Sequence, residues 1–107
     1  MKYSVQLVRE AERDILEIID YITVNDSAKQ AEYVLDKLQE SLNSLSDLPE
    51  RGHYLPELER VGVKDYREIF FKSYRIIYRV LEHSVLVHSV LDGRRDMSVL
   101  LEKRMLR

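Results

Sequence analysis

Residues 66–95 read YREIFFKSYRIIYRVLEHSVLVHSVLDGRR. Three short apolar runs are separated by two polar breaks, Lys72-Ser73 and Glu82-His83-Ser84. Val, Ile, Leu, Phe and Tyr dominate each run, the composition of a pleated, half-buried surface. We expect strands over 65–71, 74–81 and 85–92, joined as consecutive hairpins. In the middle strand Tyr74, Ile76, Tyr78 and Val80 share one side, and Arg75, Ile77, Arg79 and Leu81 the other. One face is expected to be core and the opposite face mixed and arginine-bearing. Arg67, Arg75, Arg79, Arg94 and Arg95 then form a rigid cationic platform for a phosphate, a carboxylate or an acidic partner. The alternative use of these arginines is ordinary ion pairing with Glu68, Glu82, Asp92 and Asp96, worth little at a surface.

The chain upstream supplies what covers such a sheet. Tyr3, Val5 and Leu7 alternate with polar residues and read as a short first strand. Val8, Ala11, Ile15, Ile18, Ile19 and Ile22 recur at helical spacing, placing a helix over about 9–24. Glu10, Glu12, Arg13, Asp14, Glu17 and Asp20 are assigned to its polar face. Asp26 or Ser27 caps a second helix over about 28–47, with Ala31, Leu35, Leu38, Leu42 and Leu45 inward. The short link makes the two an antiparallel hairpin. Pro49 ends it. Residues 49–63 hold both prolines and two of the three glycines and read as loop. Asp96 or Ser98 starts a short last helix. Length and pattern together describe one α+β domain over 1–107.

Composition narrows the function. There is no cysteine, and His53, His83 and His88 are scattered, so no metal site and no cofactor is expected. No glycine cluster forms a phosphate loop, and no nucleophile motif occurs. No apolar run is long enough for a membrane span, and no signal-peptide pattern opens the chain, so cytoplasmic residence is expected. The net charge of −2 is split. Residues 1–60 carry 7 Lys and Arg against 13 Asp and Glu, whereas residues 61–107 carry 10 against 6. That balance counts against nucleic acid as the main partner.

The whole chain resembles the RelE/ParE superfamily of type II toxins. Landmarks occur in order: Ala11, Asp14, Ile15 and Asp20-Tyr21-Ile22, then Leu45-x-x-Leu48-Pro49-x-x-Gly52. Tyr66-Arg67, the run Tyr74-Arg75-Ile76-Ile77-Tyr78-Arg79-Val80 and Asp92-Gly93-Arg94-Arg95-Asp96 follow. The resemblance implies a helical hairpin packed on a small, mostly antiparallel sheet. RelE-like members cleave mRNA in the ribosomal A site, whereas ParE-like members poison DNA gyrase. No tyrosine follows Tyr78, and Glu68-Ile69 stand where RelE-like toxins are rich in lysine. Asp92 takes the place of a histidine common in the ParE branch. The missing tyrosine, Glu68-Ile69 and the acidic pI favour a ParE-like, plasmid-stabilisation type of toxin, not an enzyme, held by a cognate antitoxin in a hetero-oligomer, with Asp92 a departure from that branch. Its partner-binding residues are then Arg67, Arg75, Arg79, Arg94 and Arg95. An acidic antitoxin segment is expected near Arg75, Arg94 and Arg95. The alternative is a ribosome-dependent endonuclease. Arg67, Arg75, Arg94 and Arg95 then hold the scissile phosphate, with His88 as proton carrier.

Overall fold

The computed structural model describes residues 2–94 and 97–105. Strand β1 spans Ser4–Leu7, helix α1 Arg9–Asn25 and helix α2 Ala28–Asp47. Strand β2 is the two-residue His53–Tyr54, and helix α3 is the single turn Pro56–Glu59. Strands β3 (Arg67–Phe71), β4 (Tyr74–Val80) and β5 (Ser84–Asp92) follow, and helix α4 spans Met97–Met105. The five strands form one sheet in the order β1-β5-β4-β3-β2. β1 runs parallel to β5, and every other pairing is antiparallel. This is the α+β architecture expected.

Each helix of the hairpin follows from its sequence. Ser27 caps α2, its hydroxyl accepting the Gln30 N–H at 3.0 Å. Ala31, Val34, Leu38, Leu42 and Leu45 are buried on one face. Leu35, expected inward, lies one step round the helix and stays 36% exposed. From α1, Ala11 and Ile22 join the core, with Ile15, Ile18 and Ile19 packed beside them. The sheet answers with Ile69, Ile76, Tyr78, Val85, Val87 and Val90. The facing assigned to Tyr74, Ile76, Tyr78 and Val80 therefore holds.

Three expectations need correction. The sheet face opposite the hairpin is not an open platform. Leu55 and Leu58 around α3, and Met97 and Leu101 of α4, pack there against Ile77 and Leu91. Residues 49–63 are not simply loop, because β2 and α3 lie within them. Both are too short to show a periodicity, and tertiary contacts set them. Asp14 is not on a polar face: it is 7% exposed. Its position three residues after Ala11 falls within the apolar stripe, and its charge hid that.

Gly52 is needed where the β2 segment meets the sheet. A Cβ there would stand 2.5 Å from the Tyr78 hydroxyl and 2.6 Å from the Glu68 carbonyl oxygen. The Gly52 N–H instead donates to Tyr78 Oη at 2.9 Å. The buried phenol is thereby satisfied by backbone. Further along β4 the register shifts between Ile77 and Tyr78. Ile77 faces Ser89 and Tyr78 faces Val87, so His88 is the extra residue of a β-bulge.

Candidate functional site

The arginines nominated from sequence do not converge. Register fixes this first. Arg67 pairs with Tyr78 and shares its face, toward the hairpin, whereas Arg75 pairs with Phe70 and Leu91 on the opposite face. Arg67 Nη1 donates to the Gly52 carbonyl at 2.8 Å, and its guanidinium lies 4.6 Å from the centre of the Tyr54 ring. Arg67 thus rivets the β2 segment to β3.

Arg75 is buried, its side chain 8% exposed. Its two terminal nitrogens grip Glu57 in a fork, Nη1 to Oε2 at 2.8 Å and Nη2 to Oε1 at 3.0 Å. Its Nε donates to Glu68 Oε1. The other Glu68 oxygen lies 3.0 Å from His53 Nε2. The fork on Arg75 holds the Glu57 carboxyl below the usual carboxylate range, against the opposing pull of burial. The Arg75 pKa rises further for the same reason, led by the Glu57 bond. An acidic partner segment reaching Arg75 would first have to displace Glu57. That carboxylate was hidden from sequence reasoning because α3 read as loop.

Arg94 closes on Asp92, with Nη2 to Oδ2 at 2.6 Å, and remains exposed. The Arg94 bond lowers the Asp92 pKa. The pairs Arg75–Glu68 and Arg94–Asp92 are two of the ion pairs that the sequence offered as the ordinary alternative. Arg95 lies outside the described residues, as does Asp96. Arg79 is exposed and has no charged or hydrogen-bonding partner among the described residues. His88 is half-buried, with Tyr66 edge-on to its ring at 5.1 Å. Burial, and next the nearby Arg79 charge, push the His88 pKa down. At neutral pH the ring is therefore uncharged.

Sequence reasoning missed one polar cluster. β1 ends at Leu7, so β5 beyond Val87 has no strand on that side. The Asp14 carboxylate takes the strand's place, its Oδ2 accepting the Val90 N–H at 3.0 Å. Arg104 of α4 grips the same carboxylate at 2.8 and 2.9 Å and donates to Ser89 Oγ at 3.1 Å. Asp14 thus ties α1, β5 and α4 together. The signal available in the sequence was a carboxylate at a stripe position.

A further surface feature is apolar. A groove of about 360 Å³ runs between β1 and the hairpin, lined by Val5, Leu7, Ile15, Leu16, Leu35 and Leu42. Glu12, Gln39 and Asn43 also line it, and Leu16 is 64% exposed. Chemically, of the nominated arginines among the described residues only Arg79 is left without an internal partner, where the sequence promised a cluster. Phosphoryl chemistry needs charge gathered at one point. Here Arg67, Arg75 and Arg94 are spent on internal partners. What is left suits recognition: an apolar groove, and the exposed Arg79, whose charge acts on His88.

The family model described as the ParE toxin of the type II toxin-antitoxin system, parDE, matches residues 5–97. No curated protein matches significantly. Among solved structures, the chain is similar to one from the chromosomal ParDE toxin-antitoxin system of P. aeruginosa. The TM-score is 0.69 at 18% identity, covering 83% of this chain and 94% of that one. It is also similar to a chain of the toxin-antitoxin complex RelBE2 from Mycobacterium tuberculosis, with a TM-score of 0.58 at 23% identity. That likeness covers 86% of this chain and 92% of the other.

Proposed function

The chain belongs to the ParE toxin family of type II toxin-antitoxin systems, and from that premise we propose that it poisons DNA gyrase by protein–protein contact. A cognate antitoxin silences it in a hetero-oligomer, and both act in the cytoplasm. The observation that carries the non-enzymatic reading is the state of the arginines. Arg67, Arg75 and Arg94 are held by Gly52, by Glu57 and Glu68, and by Asp92. A nuclease would need such groups free and convergent on a scissile phosphate. The partner reading draws on the two similar structures, both from toxin-antitoxin systems. It also draws on the apolar groove, which gives an ordering antitoxin segment a place to bury apolar side chains.

The test uses purified protein with gyrase and supercoiled or relaxed plasmid. Inhibited supercoiling, or trapped cleaved DNA, is expected at micromolar protein. Active gyrase at that concentration rejects the target. Codon-positioned cuts in ribosome-bound mRNA, lost in Arg75→Ala with the fold intact, would replace this reading with the endonuclease.

A further inference from the structure

We propose that Arg79, with Tyr66 and His88 beside it, grips an acidic side chain of the protein this toxin attacks. The inference rests on the toxin reading and adds to it the residue and the chemistry of the contact, whichever cellular protein that is. The argument begins with the bulge. Because Tyr78 faces Val87 and Ile77 faces Ser89, His88 is displaced from regular pairing. The Tyr66 ring reaches it from the far side of β4, 5.1 Å away and at 88°. Tyr66 packs on the core of that face with Ile77 and Leu91. The two rings therefore lie across β4 next to Arg79.

Apolar groups complete the surround. Leu86 stands opposite Arg79 in register, and Leu81, just past the strand end, is 38% exposed. An arginine flanked by aromatic and aliphatic groups is the composition of an interface hot spot, where neighbouring contacts exclude water from a central charge. Among the described residues nothing neutralises Arg79. Against the lowering by burial and by the Arg79 charge, Glu10, ion-paired to Arg104 at 3.3 Å, raises the His88 pKa. His88 is uncharged at neutral pH, so it offers an N–H without rivalling the guanidinium. One free guanidinium matches one carboxylate, which it can take with two parallel N–H donors. A nucleic-acid backbone would call for several phosphate contacts at once. The missing complement is therefore an Asp or Glu on a protein.

The experiment induces toxin in cells lacking the antitoxin and scores growth arrest. Wild type is compared with Arg79→Ala, Arg79→Lys and, as a surface control on α1, Arg9→Ala. Each variant is also purified through its antitoxin complex, and antitoxin affinity and thermal unfolding are measured. Loss of one hot-spot arginine predicts about tenfold or greater loss of toxicity in Arg79→Ala, with antitoxin affinity within about threefold of wild type. Arg79→Lys keeps the charge without the fork and should recover only part. Arrest unchanged in Arg79→Ala overturns the proposal while leaving the toxin reading standing. So does an equal loss of antitoxin affinity, which would assign the patch to the antitoxin. Arg79-dependent binding of a short DNA duplex by the wild-type protein overturns it too, in favour of a phosphate. A wild type that does not arrest growth sinks the toxin reading and this proposal with it.

Discussion

Removing the Arg75 guanidinium would leave two carboxylates, Glu57 and Glu68, without their shared cation on the sheet face opposite the hairpin. Glu68 is 1% exposed, so water cannot stand in for the lost partner. Breaking a buried pair in this way costs about 3–5 kcal/mol, chiefly for the charges left behind. Arg75→Ala is therefore expected to lose stability on that scale in urea denaturation. A soluble Arg75→Ala of wild-type stability that has lost toxicity would give Arg75 a direct role at the target. Gly52→Ala is expected to cost about 1–3 kcal/mol, because the new Cβ must push Tyr78 or the Glu68 backbone aside. His88 provides a pH signature. Its folded pKa lies below its ordinary 6.5, so the unfolded chain binds the proton first as pH falls. Stability is therefore full above about pH 6.5 and declines below it, until the folded ring titrates as well. Replacing His88 with Gln should flatten that part of the profile, and an unchanged profile would remove His88 as its source.

The short elements carry a larger share of the architecture than their length implies. α3 supplies Leu55 at its start, Leu58 and the Glu57 fork to Arg75, and α4 supplies Met97, Leu101 and Arg104. Together they close the sheet face that the strand pattern left apparently open. The long amphipathic helices and three main strands were legible because each repeats its signal over several turns or pleats. β2 and α3 were not, since two residues and a single turn carry no period. The arginines were legible as cations but not as paired ones, because the carboxylates that bind them are distant in sequence. Asp14 shows the same limit: a buried carboxylate is decided by Val90 and Arg104, from the other end of the chain. The clasp makes a prediction at this scale. Arg104→Ala leaves Asp14 with the Val90 N–H alone, so α4 should open more often. Amide exchange over 99–104 is expected to speed by about tenfold or more, with α2 amides unchanged. Equal rates in α4 would show that Met97 and Leu101 suffice to hold it.

Across the whole molecule, charge and apolar surface are arranged against one another. The helical layer, residues 9–47, carries four Lys and Arg against ten Asp and Glu. The apolar groove opens between that layer and β1, with Glu12 and the exposed Leu16 and Leu35 in its lining. Of the cations expected to attract an acidic antitoxin, Arg75 is buried, Arg94 is closed on Asp92 and Arg95 lies outside the described residues. A segment that covers the groove therefore meets a negative surround and is best matched by Lys or Arg flanking its apolar side chains. Long-range attraction of this kind governs association more than dissociation and is screened over about 8 Å at physiological ionic strength. Association of antitoxin with wild type should accordingly slow as salt rises, while dissociation changes little. Glu12→Lys should slow association by a further factor of about 2–5 at low salt, with a shallower salt dependence. Stopped-flow mixing of the two purified proteins measures both. Faster association in Glu12→Lys would mean that an acidic segment covers the groove, and would restore the charge pattern first expected from the sequence.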